Sequence, residues 1–184
     1  MASIFYIVNT ILTVGIYVFI LRLWMQYARV NFYNPFTQFV LRITQPIVGP
    51  LRRIIPSIGR IDTSIVLVTY IIALIKVIFI TTYALKWPVW NMMYLFYGIL
   101  AMFHALGHLI FWMLLVRAIL SWINRGQSPV EDLLAQLTEP LIRPIRRIVP
   151  PFGSIDISFM IFVFALIALN LIATDLFGIV WMLL

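Results

Sequence analysis

Four stretches of the chain are almost entirely apolar and long enough to cross a lipid bilayer. A spanning helix takes about 20 residues, because the hydrocarbon core is about 30 Å thick and each helical residue advances about 1.5 Å. The stretches predict transmembrane helices at Ile4 to Leu21, Thr63 to Leu85, Trp90 to Val116 and Ser158 to Leu184. The fold class that follows is an all-α membrane protein.

Each of the two long connections between these helices contains a shorter segment with a one-sided apolar stripe. Asn34-Pro35 and Ser128-Pro129 each place a capping residue before a proline at the first helical position. Apolar residues then recur at spacings of three and four, as in an amphipathic helix. These residues are Phe36, Phe39, Val40, Ile43 and Ile47 in the first segment and Val130, Leu133, Leu134, Leu137 and Leu141 in the second. A helix of about a dozen residues is too short to span, so we expect it in the membrane interface or beneath the bundle.

The two halves of the chain are copies of one unit. Residues 35–64 return 94 residues later as residues 129–158, with 12 of 30 positions identical. A repeat marks one structural unit that its neighbour completes. We therefore expect one membrane domain, residues 1–184, built from parallel repeats at about 1–85 and 90–184. Each repeat is expected to contain a spanning helix, then an amphipathic helix with a basic turn, and then a second spanning helix.

The most regular part of the repeat is a proline-bounded turn with two adjacent arginines, which we call the elbow (residues 50–62 and 144–156). The arginines are Arg52 and Arg53 in the first elbow and Arg146 and Arg147 in the second. Prolines should stiffen the turn, a glycine permits a reversal, and an aspartate can cap the next helix or pair with an arginine. Prolines 46 and 140 are expected to end or kink the amphipathic helices. The elbow and cap residues are Pro46, Pro50, Pro56, Gly59, Asp62, Pro140, Pro144, Pro150, Gly153 and Asp156.

Composition and charge placement support a membrane protein with a defined orientation. The chain is 64% hydrophobic and 10% charged, far from the balance of a soluble domain. Of its 13 basic residues, 11 lie in the two elbow-bearing connections. Arginine-rich connections stay on the cytoplasmic side, so we expect both elbows to be cytoplasmic and both termini periplasmic.

The elbow arginines are open to three interpretations. They could set topology and contact anionic lipid headgroups, or they could form a docking surface for an unidentified membrane or cytoplasmic protein. Nucleic-acid binding is disfavoured, because no aromatic platform accompanies the arginines. A homo-oligomer is compatible with the sequence.

Each spanning helix also carries a polar residue 13 positions inward from its basic boundary. These residues are Asn9, Lys76, His104 and Asn170, with His108 one turn from His104. They could fasten the helices together or line an ion or proton path. A metal site is disfavoured because the two histidines lack further convincing ligands and the chain has no cysteine. No cofactor is expected.

The motifs Asn34-Pro35, Thr44-Gln45-Pro46, the Pro50 to Pro56 segment and Gly59 to Asp62, with their second copies, resemble those of the YggT family, also called YlmG. The two-repeat form is similar to the gammaproteobacterial type. The resemblance implies a small bacterial inner-membrane protein linked with osmotic-shock tolerance and with division and envelope genes. In plastids, it implies links with membrane biogenesis, nucleoid distribution and cytochrome assembly. It supplies no catalytic residue.

The sequence has no catalytic serine motif of the Gly-x-Ser-x-Gly type, no phosphate-binding loop and no zinc motif, which disfavours an enzyme. We therefore expect a non-enzymatic structural, assembly or regulatory protein of the envelope and of osmotic adaptation, whose elbows engage anionic lipid or a partner. The alternative is an ion channel or transporter for osmotic adaptation that uses the polar layer.

Overall fold

The computed structural model describes residues 2–89, 91–123, 128–149 and 157–184. Within these ranges the regular structure is helical, apart from one backbone bridge between Ile58 and Ile61. The helices are α1 (Ala2–Ala28), α2 (Pro35–Leu51), α3 (Thr63–Ile80), α4 (Met93–Ile123), α5 (Pro129–Ile148), α6 (Ile157–Phe177) and α7 (Ile179–Leu183). A π-helical turn, Thr81–Leu85, extends α3. Four of the helices are long and apolar enough to cross a membrane, which confirms the predicted fold class.

The first spanning helix is longer than predicted. We expected it to stop at Leu21, before the first arginine, but α1 continues to Ala28. The helix can continue past Arg22 because its guanidinium group is buried and has hydrogen-bond partners on α2. The side chain therefore does not have to reach water. The helix ends where Arg29 adopts a left-handed conformation, φ 52°.

The two amphipathic segments begin as predicted but end later. The Asn34 side chain accepts a hydrogen bond from the Phe36 amide at 2.9 Å, and Ser128 accepts one from Val130 at 3.3 Å. Pro46 and Pro140 do not end their helices, which continue for 17 and 20 residues in all. These prolines lie on exposed sides of α2 and α5, so the ring and the freed carbonyl do not disturb the bundle.

The centre of the bundle is formed by α1, α3 and α4. α1 runs antiparallel to α3, as shown by Phe5 stacking on Phe79 near one end. Small residues bring α3 and α4 together, since Ala73 of α3 and Ala101 and Ala105 of α4 are buried in one cluster. The ends of α1 and α4 meet α2 and α5 at what we call the basic end of the bundle.

The fourth predicted span ends earlier than expected. We expected one helix from Ser158 to Leu184, but α6 ends at Phe177 and the chain reverses at Gly178, where φ is +58° and ψ is −136°. The short helix α7 then folds back along α6, so that Trp181 Nε1 donates to Asn170 Oδ1 at 3.0 Å. An uninterrupted helix could not bring these two side chains together, because they are separated by 11 residues.

The repeats share their order of elements but pack differently. In α5, Leu133, Leu134 and Leu137 of the apolar stripe are buried. In α2, Val40 is buried, while Phe36, Phe39, Ile43 and Ile47 are exposed. α6 is also largely exposed, whereas its counterpart α3 is covered by α1 and α4. The amphipathic helix of the second repeat, α5, is therefore packed against the bundle. Most of the equivalent apolar row on α2 of the first repeat is exposed.

Candidate functional site

The first elbow is closed by an ion pair and a tight turn. Arg52, at the end of α2, donates from Nε to Asp62 Oδ2. The other carboxylate oxygen, Oδ1, accepts from the Ser64 amide at 3.0 Å and caps α3, as predicted. Between them Gly59 has φ +59°, and the backbones of Ile58 and Ile61 exchange two hydrogen bonds of 3.0 Å. The aspartate thus joins the end of α2 to the start of α3.

In the described part of the second elbow, the first arginine forms an ion pair with a glutamate of α5. Arg146 and Arg147 lie in the last turn of α5, and Arg146 Nη1 donates to Glu139 Oε1 at 2.7 Å. Within the described residues, the two elbows share a side-chain contact: Ser64 donates to the carbonyl of Ile55, and Ser158 donates to that of Val149. The predicted elbow residues Pro150, Gly153 and Asp156 lie outside the described residues.

The two arginines of each elbow have different environments. Arg52 and Arg146 are held by carboxylates. Arg53 and Arg147 are exposed, and neither forms an ion pair within the part of the chain that the structure describes. Two guanidinium groups, one from each repeat, are therefore directed to the surroundings of the basic end.

A second arginine motif, unnoticed in the sequence, connects each spanning helix to its amphipathic helix. Arg22 of α1 donates from Nη1 to the Thr44 hydroxyl at 2.5 Å and from Nη2 to Gln45 Oε1 at 2.8 Å. In the second repeat, Arg117 donates to Thr138 at 2.6 Å and to Glu139 at 3.4 Å. We call these two contacts the arginine latches. Arg22 is only 2% exposed, so its latch is buried.

The repeats are joined at the basic end by hydrogen bonds that cross between them. Trp24 Nε1 donates to the carbonyl of Leu137 at 3.0 Å, and Asn34 Nδ2 donates to that of Pro129 at 2.6 Å. The amide of Asn31 also donates to Gln136 Oε1 at 3.0 Å. These bonds hold α5 against the first repeat and so fix the relative position of the two helices that carry the elbows.

The predicted polar layer is brought together largely by α7. Lys76 Nζ donates to the backbone oxygen of Leu184, and the Trp181 ring lies edge-on to His104 with centroids 4.9 Å apart. Trp181 also binds Asn170, as described above. The rings of His104 and His108 are 4.4 Å apart. Thus α7 and the residue that follows it contact Lys76, His104 and Asn170, a role that the sequence did not suggest.

Asn9 differs from the other members of the layer. Its buried Oδ1 accepts no hydrogen bond within the described residues. Across those same ranges, no group of three or more histidine, cysteine, aspartate or glutamate side chains is placed to hold a metal ion. The arrangement around α7 is therefore one of hydrogen bonds and ring contacts.

A family model and several known proteins match nearly the whole chain. The family model described as CCB3/YggT matches residues 1–83 and again residues 93–177, in agreement with the two repeats. The chain belongs to the CCB3/YggT family. The protein named "Uncharacterized protein YggT" in Escherichia coli K12 is 45% identical over 172 residues, which cover 93% of this chain and 89% of that protein.

Other relatives in the CCB3/YggT family are similarly complete. An "Uncharacterized protein in proC 3'region" of Vibrio alginolyticus is 44% identical over 98% of both chains. "Uncharacterized protein PA0392" of Pseudomonas aeruginosa is 35% identical over 91% of this chain and 84% of that protein. No solved structure matches the chain.

For this CCB3/YggT protein, the contacts of Asp62 in the first elbow were predicted from the sequence, but the latches and α7 were not. A signal for the latches was present, because an arginine precedes the repeated threonine by 22 residues in one repeat and by 21 in the other. For α7 the only local signal was Gly178 within an apolar run.

Proposed function

We propose that this CCB3/YggT protein is a non-enzymatic assembly or regulatory factor of the bacterial inner membrane. Its basic end faces the cytoplasm and engages anionic headgroups or a partner protein, and the protein acts in envelope and osmotic-stress adaptation. The observation that carries the proposal is that the two arginines of each elbow have different environments. Arg52 and Arg146 are held by carboxylates of the fold, while Arg53 and Arg147 are exposed.

The surroundings of the first elbow favour contact with a membrane surface. Phe36, Phe39, Ile43 and Ile47 form an exposed row on α2, and Arg42 and Arg53 are exposed nearby along the chain. A helix with an apolar row and flanking cations is typical of the membrane interface. Each arginine near an anionic leaflet contributes about 1 kcal/mol of attraction.

The second elbow is better suited to a water-soluble partner. Three residues of the α5 stripe, Leu133, Leu134 and Leu137, are buried against the bundle. The outward side of α5 presents polar groups such as Asp132, Gln136 and Arg143 beside Arg147. The two elbows thus have unlike surroundings in spite of their common sequence. We propose that the first holds the basic end at the lipid surface and the second receives a partner.

The proposal is tested with the double variant Arg53→Gln and Arg147→Gln in a strain that lacks the native gene. The matched control is Arg29→Gln with Lys86→Gln, which removes the same charge from two exposed positions outside both elbows and both amphipathic helices. We expect the control to restore growth after hyperosmotic shock and the elbow variant to fail at equal membrane abundance. Equal restoration by both would overturn the proposal.

Ion conduction is a second candidate, favoured by the presence of Lys76, His104 and Asn170 in predicted spans. The contacts of α7 with these residues support a fastening role more than an open path. Flux of potassium, chloride or protons in reconstituted liposomes decides between them. Flux above that of empty vesicles, lost in Lys76→Met, would favour conduction.

A further inference from the structure

A groove of about 780 Å³ separates the two repeats near the basic end. Its walls come from α1 and α3 of the first repeat and α4 and α5 of the second, including Leu23, Tyr70, Phe103 and Leu141. Its volume is in the range of about 300 to 1,000 Å³ that is typical of sites for small ligands. The groove is therefore large enough for part of a lipid molecule.

Along α3, the groove begins at the first elbow and extends to Tyr70. Arg60 lies in the elbow just before α3, while Val66 and Tyr70 lie on α3 itself. Tyr70 is seven residues beyond Thr63, the first residue of α3. At about 1.5 Å per residue this is about 10 Å, compared with about 15 Å for half of the hydrocarbon core.

The polar atoms along the walls are largely occupied. Trp24 Nε1 donates to Leu137, and the Tyr70 hydroxyl donates to the carbonyl of Leu95 at 2.9 Å. The remaining lining is mostly aliphatic and aromatic. A chain of methylene groups suits such walls better than water, since burying apolar surface is favourable and the donors of Trp24 and Tyr70 already have partners.

One charged side chain lines the groove, Arg60 at its elbow end. Arg60 is exposed and has no ion-pair partner within the described ranges, whereas the neighbouring Asp62 is already engaged by Arg52. An arginine guanidinium is well suited to bind phosphate oxygens. The groove thus combines an apolar slot with an unpaired cation at its mouth.

We infer that this groove binds an anionic phospholipid, with one acyl chain between the repeats and the phosphate at Arg60. The inference builds on the proposed contact of the basic end with anionic lipid, and it adds a defined site that is separate from Arg53 and Arg147. The second repeat has Ser154 at the position equivalent to Arg60. The duplicated sequence therefore supplies this cation once per chain.

A lipid in this position bridges the repeats, so its binding should raise the stability of the folded chain, and the gain should grow as the lipid concentration rises above the dissociation constant. Purified full-length protein in detergent is titrated with phosphatidylglycerol or phosphatidylcholine. Native mass spectrometry reports retained lipid, and the unfolding temperature reports stabilisation. We expect phosphatidylglycerol to be retained about fivefold better than phosphatidylcholine, as one arginine contact is worth about 1 kcal/mol.

Three variants locate the site. Arg60→Gln should remove the preference for phosphatidylglycerol. The matched control Arg143→Gln, which removes an exposed arginine outside the groove, should keep it. Ala28→Trp, which fills the groove from α1, should reduce retention of both lipids.

Unchanged preference in Arg60→Gln would overturn the inference, and so would equal retention of both lipids by the wild type. Arg60 is exposed, so its substitution should leave the fold intact and the test valid even if Ala28→Trp does not fold. The Arg53→Gln, Arg147→Gln variant should retain the groove lipid. The groove site and the proposed function can therefore fail separately.

Discussion

Arg22 Nη1 of α1 lies 2.5 Å from the Thr44 hydroxyl of α2, and the repeat reproduces this contact between Arg117 and Thr138 at 2.6 Å. Each threonine also donates its own hydroxyl proton to a carbonyl four residues earlier in its helix. This hydrogen bond within the helix orients the threonine hydroxyl so that its oxygen can accept from the arginine. The latches explain how a short helix is held against a spanning helix at a fixed position in both repeats.

The first prediction concerns the unequal burial of the two latches. Arg22→Ala should lower the free energy of unfolding by about 1 to 3 kcal/mol, since it removes charge-assisted hydrogen bonds from a buried site. Arg117→Ala should cost less, because its side chain is 23% exposed and water can replace it. Unfolding by sodium dodecyl sulfate, followed by circular dichroism, measures both. An equal or larger loss in Arg117→Ala would contradict this explanation.

Variants of the threonine provide the control for the first prediction. Thr44→Ser keeps the hydroxyl that accepts from Arg22 and should retain most of the stability. Thr44→Val keeps the size of the side chain but removes the hydroxyl, so it should resemble Arg22→Ala. If serine and valine behave alike at this position, packing rather than the hydrogen bond accounts for the latch.

The second prediction concerns Glu139, which binds both Arg117 and Arg146. The first repeat has Gln45 at the same position, so Glu139→Gln makes the second latch similar to the first while it removes two ion pairs. The glutamate side chain is 40% exposed, and exposed ion pairs contribute little. We expect a loss of about 0.2 to 1 kcal/mol that disappears in 1 M salt, where screening acts over about 3 Å. A loss that persists in high salt would show that the charge is not its cause.

The sequence predicted the local features of the fold. Asn34, Ser128 and Asp62 cap their helices as expected, because a cap depends on backbone groups only two residues away. The existence of the four spanning helices was equally readable from apolar runs. The pairing of Arg52 with Asp62 was one of several options in the sequence and is the one observed.

Features that depend on packing between helices were not predictable. Arg22 looked like the end of a span because its buried partners lie on another helix. The unlike exposure of Phe39 and its counterpart Leu133 could not be foreseen, because an apolar row suits lipid and protein equally well. The elbow beyond Val149 lies outside the described residues, so its predicted symmetry with the first elbow stays a prediction.

The third prediction tests the close approach of α3 and α4 at Gly98. A Cβ atom there would lie 3.0 Å from Cε2 of Tyr70, 3.3 Å from Cδ1 of Leu74 and 3.6 Å from its Cα. Gly98→Val should push the helices apart and cost about 1 to 3 kcal/mol, as overpacking does elsewhere. Gly107→Ala on the same helix is the control, because its Cβ would meet no atom of the described residues within 4 Å. A valine variant as stable as the wild type would mean that this contact can relax without loss.

The fourth prediction tests the reversal that places α7 against the polar layer. Gly178 has φ +58° and ψ −136°, a conformation that residues with a side chain rarely adopt. A Cβ there would still meet no neighbour within 4 Å in the part of the chain that the structure describes. Gly178→Ala should therefore act through backbone strain of about 1 to 3 kcal/mol and release α7 from Lys76 and Asn170.

The release of α7 can be measured chemically, because the chain has no cysteine of its own. A single Leu184→Cys substitution reports the accessibility of the segment to a water-soluble maleimide. We expect labelling to be several times faster in the Gly178→Ala background than in the parent, since the backbone of residue 184 is no longer held by Lys76. Gly107→Ala in the same cysteine background should label at the parental rate. Equal rates in all three proteins would show that the position of α7 does not depend on the turn at Gly178. That result would also argue against the contacts of Trp181 with His104 and Asn170.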